Sequence, residues 1–160
     1  MFDPLDEKMM REALRMARSA ASRGEVPVGA VLAREGVVVA RASNLTLARV
    51  DPTAHAEVAV IRRAARRLGN HRLTGLTLYV TLEPCLMCLG AMVQARIARC
   101  VYGASDPKVG AAHLLALPRV RGGVNHRFPL QGGCLATPAS YLLRRFFKQR
   151  RGRRGAAGSP

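Results

Sequence analysis

Two short stretches hold residue types that can do chemistry together: His55-Ala56-Glu57 and Pro84-Cys85-Leu86-Met87-Cys88. Two cysteines three positions apart on the first turn of a helix share one face, so both sulfurs can reach a single ion. The helix N-terminus carries partial positive charge, which favours thiolate over thiol at both positions. His55 adds a neutral ring nitrogen. His55, Cys85 and Cys88 then make up the one-nitrogen, two-sulfur set that zinc takes when its fourth position is left to water. A Cys-x-x-Cys alone is equally a redox pair or half of a structural zinc module, and a lone His-x-Glu says almost nothing. The combination, with each half opening a helix and the second following a strand, points to catalytic zinc.

Glu57 gives such a centre a reaction. His55 and Glu57 would point to different sides of a mid-helix turn, but at a helix N-terminus both reach forward to one point beyond its end. A carboxylate held beside the metal without ligating it can take a proton from an attacking water and hand it to the substrate. The implied chemistry is hydrolytic attack on an electrophilic carbon. Cys100 lies in an apolar run and Cys134 between Gly133 and Leu135, and both read as packing residues; His71, His113 and His126 read as surface or loop residues. A fourth ligand from any of these five would close the site and remove its catalytic meaning.

The elements that must position these residues follow from periodicity and punctuation. Residues 5–23 form a helix with an apolar stripe of Leu5, Met9, Ala13, Met16, Ala17 and Ala20, stopped by Gly24. Val28–Ala33 and Val37–Ala42 are strands joined by Arg34-Glu35-Gly36 as a hairpin. Asn44–Pro52 is a loop, after which Thr53 suits the N-cap of a helix closed by Gly69. Thr77–Leu82 reads as a buried strand, and Pro84 suits the first turn of a helix to about Arg96. Strands at Ile97–Tyr102 and near Phe128–Leu130 follow, then a last helix from Thr137-Pro138 to about Arg151. Helices alternating with strands after one hairpin predict an α/β fold with a partly antiparallel sheet.

Length and charge set the context. The chain has 160 residues, half of them apolar (49%), which suits one compact domain over residues 1–151 with a basic, disordered tail at 152–160. Lys and Arg total 26 against 10 Asp and Glu, a net charge of +16, and no acid follows Asp106. That excess favours a polyanionic partner, and the run Arg144-Arg145-Phe146-Phe147-Lys148-Gln149-Arg150-Arg151-Gly152-Arg153-Arg154 offers both phosphate contacts and stacking faces. Four unevenly spaced cysteines do not make a disulfide scaffold. No run reaches the apolar length of a membrane span, and the N-terminus is acidic, so the expectation is a cytoplasmic protein without membrane contact.

The His-x-Glu and Pro-Cys-x-x-Cys pair resembles the signature of zinc-dependent nucleobase deaminases. The likeness extends through Glu25–Val31, Asn44, Asp51–Glu57, Leu78–Cys85, Gly90-Ala91-Met92, Tyr102-Gly103-Ala104, Asp106-Pro107-Lys108, Asn125-His126-Arg127 and Phe146-Phe147. Over about residues 7–151 the chain resembles the bacterial tRNA adenosine deaminase family. The resemblance implies a three-layer α/β/α sandwich around a five-stranded mixed sheet, of the cytidine deaminase type. It implies a homodimer that converts the wobble adenosine in the anticodon stem-loop of a tRNA, typically the ACG-anticodon arginine tRNA, to inosine. One Zn2+ per subunit would be held by His55, Cys85 and Cys88, with Glu57 as the proton carrier. Asn44 and the backbone near Ala54 and Cys85 would contact the flipped base. Asp106, Lys108 and Asn125 would hold ribose and phosphates, and Phe147 and Arg150 flanking nucleotides.

Residue chemistry supports these roles unevenly. An Asn amide suits a purine ring nitrogen, and Lys108 a phosphate. Asp106 suits a sugar hydroxyl, though Ser105-Asp106-Pro107 is equally a turn, and Asn44 after a strand also starts turns. Thr137-Pro138-Ala139 stands where the family usually has two acids and a Cys, which should keep a helix start but remove favourable negative charge there. The same zinc chemistry would serve deamination of a free base or nucleoside, such as guanine or cytosine derivatives; a basic surface would be superfluous there. A non-catalytic zinc RNA-binding protein would lack the carboxylate that Glu57 supplies.

Overall fold

In a computed structural model, which describes residues 2–156, five strands form one sheet in the order β2-β1-β3-β4-β5. Helix α1 (Pro4–Ser22) precedes the hairpin β1 (Gly29–Arg34) and β2 (Val37–Ser43). Glu35 and Gly36 turn the hairpin with φ of 48° and 78°, as a two-residue loop compatible with strand twist requires. Helix α2 (Ala56–Leu68), β3 (Thr77–Leu82), α3 (Leu86–Ala95) and β4 (Arg99–Ala104) follow. A 3-10 turn at Ala112–Ala116, the short α4 (Pro118–Gly123), β5 (Leu130–Gly132) and α5 (Ala136–Ala156) complete the chain. The sheet is mixed: β1 runs antiparallel to β2 and β3, while β3, β4 and β5 are parallel.

Period-two alternation decides which layer each strand residue feeds. Ala30, Leu32, Leu78, Val80 and Cys100 pack under α2 and α3, while Val31, Ala33, Tyr79 and Val101 pack against Met9, Met10 and Ala13 of α1. Helix α5 lies beside α1 on β3 and β4, giving the expected α/β/α sandwich. Gly29 lets α1 lie directly on β1, because a Cβ there would run into the backbone of Ala13 and Ala17. Across the α1 layer, Asp6, 3% exposed, accepts bonds from Arg99 at 2.7 and 2.8 Å and from the Tyr79 hydroxyl at 3.0 Å. Burial raises the Asp6 carboxyl, but Arg99 and Tyr79 outweigh it and hold it below the usual carboxylate range.

Several boundaries differ from the sequence expectation. Thr53 does not cap α2: its N–H and hydroxyl both donate to Asp51 Oδ1, at 2.8 and 2.7 Å, and His55 becomes the N-cap. Pro84 stands before α3, whose N-cap is Cys85. β4 and β5 each sit two residues later than predicted, since Arg96 turns α3 off in the left-handed region and residues 97–98 are spent on the return. The expected tail also changes, because α5 continues through residues 152–156; arginine is a good helix former and suits a helix C-terminus. Residues 157–160 of that tail lie outside the described residues. Among the described residues, no helix is long and apolar enough to cross a membrane.

Candidate active site

Helices α2 and α3 lie against each other on one face of the sheet, and their first turns bring the predicted ligands together. His55 is the N-cap of α2 and Cys85 the N-cap of α3, each in extended backbone conformation and without a side-chain cap bond of its own. Both side chains are therefore left to reach past their helix ends. His55 Nδ1 stands 3.7 Å from Cys85 Sγ and 3.6 Å from Cys88 Sγ. The ligand atoms of the three residues all lie within 4.8 Å of one another, and among the described residues no fourth His, Cys, Asp or Glu joins them. Cys100 and Cys134 are buried in the core on opposite faces of the sheet, as packing residues.

Burial dominates the electrostatics of this cluster. Burial lowers the His55 imidazole, keeping it neutral and able to ligate. Burial, with Glu57 and Cys85 close by, drives the Cys88 thiol well above its ordinary range. This outweighs the helix-end effect that favours thiolate at that position, and a bound divalent ion would reverse the balance. One imidazole nitrogen and two sulfurs with no carboxylate among them is a donor set that fits zinc and suits magnesium or calcium poorly. Glu57 is 4% exposed, and burial pushes its carboxyl up to about 7, against a hydrogen bond with Cys88 and one with its own backbone. It thus lies beside the ligand set without belonging to it.

Asn44, buried at the end of β2, accepts the Ala56 N–H on its Oδ1 at 3.2 Å. It does for α2 what Thr53 was expected to do, and this commitment occupies the amide oxygen while leaving the amide nitrogen as the side chain's donor group. Ala54 is buried, its N–H bonded to Asp51 and its carbonyl accepting from Leu45, so its backbone is engaged within the loop. Asp106 forms the predicted turn: its Oδ1 accepts the N–H groups of Lys108 and Val109, at 2.9 and 3.3 Å. Lys108 and Asn125 are exposed, and the Asn125 carbonyl accepts from Arg96 at 2.7 Å. Phe147 is 40% exposed on α5, while Arg150 stacks over Phe146 at 6.0 Å. These last two residues are carried by the α1/α5 layer, opposite α2 and α3.

Two carboxylates were missed as site builders. Glu25, 1% exposed, accepts from the N–H groups of Leu47 and Ala48 at 2.9 and 2.8 Å and from the Thr46 hydroxyl, holding the loop that follows Asn44. Burial raises Glu25, and those donors more than compensate, leaving it low. Glu83 does the same for the loop after β4, through Asp106 and Ala112. The available signal was an acid one or two residues before a proline, in a chain with only 10 acids.

Comparison with known proteins agrees with this geometry. The model of the MafB19-like deaminases matches residues 5–151. The chain is 46% identical over 151 residues to the tRNA-specific adenosine deaminase of Haemophilus influenzae, covering 91% of this chain and 85% of that one. It is 43% identical over 152 residues to its counterpart in Bacillus subtilis, covering 95% and 94%. A solved structure from work on A-to-I editing by tRNA:A34 deaminases superposes with a TM-score of 0.80 at 46% identity, over 85% of this chain and 99% of that one. Guanine deaminase from Bacillus subtilis gives 0.59 at 39% identity, over 62% and 64% of the two chains. Matched over nearly its whole length in this way, the chain belongs to the tRNA-specific adenosine deaminase family of MafB19-like deaminases.

Proposed function

We propose that this protein converts the wobble adenosine of a tRNA to inosine by hydrolysis, with the ACG-anticodon arginine tRNA as the typical substrate. The observation that carries the reading is the buried Glu57 carboxyl beside the His55, Cys85 and Cys88 cluster, in a chain of this family. His55, Cys85 and Cys88 would hold one zinc ion, whose chemistry when bound is to polarise and acidify an attacking water. Glu57 takes a proton from that water on a carboxylate oxygen and delivers it to the adenine ring nitrogen N1. The water oxygen bonds to C6, the C6–amine bond breaks, and a second proton passed through Glu57 lets the amine leave as ammonia. A buried carboxyl beside the ligand set is placed both to take and to give a proton.

Asn44 orients the flipped base through its amide nitrogen, its oxygen being fixed on Ala56. Backbone groups around Ala54 and Cys85 close the base pocket. Asp106 offers an acceptor to a ribose hydroxyl, Lys108 and Asn125 take phosphate and sugar groups, and Phe147 and Arg150 meet flanking nucleotides of the anticodon stem-loop. The net charge of +16 supports an RNA partner over a free base. The functional unit is a homodimer acting in the cytoplasm; Leu86 and Met87 on α3, 64% and 37% exposed, give the pairing an apolar face.

The test is an inosine assay on a tRNA carrying adenosine at the wobble position, beside free adenosine, cytidine and guanine. Inosine in the tRNA with no conversion of the free compounds is the expected result. Conversion of a free base alone would keep the metal chemistry and overturn the RNA assignment.

A further inference from the structure

The segment from Ser105 to Gly110 buries no side chain, so packing does not hold its shape. Its order comes instead from hydrogen bonds: Asp106 ties the turn to itself through the N–H groups of Lys108, Val109 and Gly110, and Glu83 anchors that turn to the end of β3. Glu83 Oε2 accepts the Asp106 N–H at 3.0 Å and Oε1 accepts the Ala112 N–H at 3.2 Å, gripping the loop at both ends. The Glu83 backbone N–H bonds to Ala104 and the neighbouring Pro84 carbonyl accepts from Ala111, at 2.8 and 3.0 Å. Gly110 leaves room for this arrangement: a Cβ there would run into the Asp106 carbonyl oxygen and stand 2.5 Å from the Glu83 carboxyl carbon. The next residue but one along β3 and its exit is Cys85, so the loop is tied to the start of the helix that carries two metal ligands.

We propose that Glu83 is a positioning residue for RNA binding, which fixes Asp106 and Lys108 relative to the metal-binding helix. The inference rests on the role given above to those two residues. A loop ordered before the substrate arrives loses little conformational entropy on binding, so the effect falls on affinity and not on the chemical step. Glu83→Gln keeps the size of the side chain but sets an amide NH2 against one of the two N–H donors. Gly110→Ala leaves the carboxylate in place and crowds both it and the Asp106 carbonyl, reaching the same loop by an independent route.

Hydrogen exchange at the amides of Asp106 and Ala112, metal content, and kcat and KM on the wobble-adenosine tRNA form the experiment, made on the metal-loaded full chain. In both variants exchange at these amides accelerates and KM rises about tenfold, the scale of one lost charge-assisted contact. Metal content is unchanged and kcat stays within about twofold, as removal of uniform binding energy requires. Glu83→Gln raises KM less in a Lys108→Ala background than in the wild type, because part of its effect passes through Lys108. Accelerated exchange with unchanged KM would overturn the proposal. So would a parallel fall of metal content and kcat, which would make Glu83 a support of the metal site. Should the wild-type protein leave the tRNA unaltered, the RNA assignment itself fails, and unchanged exchange in the variants would refute the loop grip separately.

Discussion

Asn44 offers a place where stability and substrate recognition can be separated by one functional group. Its oxygen caps the first N–H of α2 at 3.2 Å, and its nitrogen is the group assigned to the base. Asn44→Ala removes both. The Ala56 N–H is then left without its partner at a buried helix start, which costs about 1–2 kcal/mol. For a chain of 160 residues that lowers the melting temperature by roughly 2–8 °C. Asn44→Asp keeps an acceptor at the cap, and a negative charge at a helix N-terminus is favourable. Its melting temperature should stay within about 2 °C of wild type. Both variants lose the amide donor, and kcat/KM for the tRNA should fall about a hundredfold or more in each, as when a site loses a group built to hydrogen-bond its substrate. Thermal melts, metal analysis and the inosine assay on the three proteins decide the matter. An Asp variant that turns over like wild type would refute the donor role. An Ala variant that melts like wild type would refute the cap.

Glu57→Gln should retain metal and fold while turnover drops by about a thousandfold or more, since general acid and base work is lost together; near-wild-type inosine formation would remove Glu57 from the mechanism. Cys88→Ala should lose bound metal and stability together, read by metal analysis and melting in the same sample, because the ligand set joins α2 to α3. The bond of Asp6 to Arg99 sets an acid limit: its folded carboxyl lies below its unfolded value, so its stabilisation is complete above about pH 4 and is lost as pH falls through the folded value. Asp6→Asn should therefore flatten the acid limb of a stability-versus-pH curve, and an unchanged limb would exclude this pair as its source.

Local pattern made much of the protein legible. Alternating apolar positions in β1 and β3 and the stripe on α1 depend only on neighbours two to four residues away, so they are written in chain order. The same holds for Cys85 and Cys88, whose shared face follows from one helical turn, and for Gly69, which ends α2 with φ of 61°. The candidate metal-ligand cluster was readable for this reason, since helix ends needed only to be brought together to complete it.

Tertiary structure decided what chain-distant groups do to one another. The cap of α2 comes from Asn44, 12 residues before Ala56, and displaced Thr53, which finds a closer partner in Asp51. Asp6 finds Arg99 and Tyr79 across 93 and 73 residues, a pairing that exists only once β3 and β4 lie side by side under α1. Glu25 and Glu83 look in the sequence like two acids before prolines. The N–H groups of loops 20 to 30 positions away make them the braces of the site, Glu25 being fully buried as well. Cys88 shows the same division: the helix end favours its thiolate, but burial beside Glu57 overrules that effect, because desolvation depends on everything packed around a group and not on its own element.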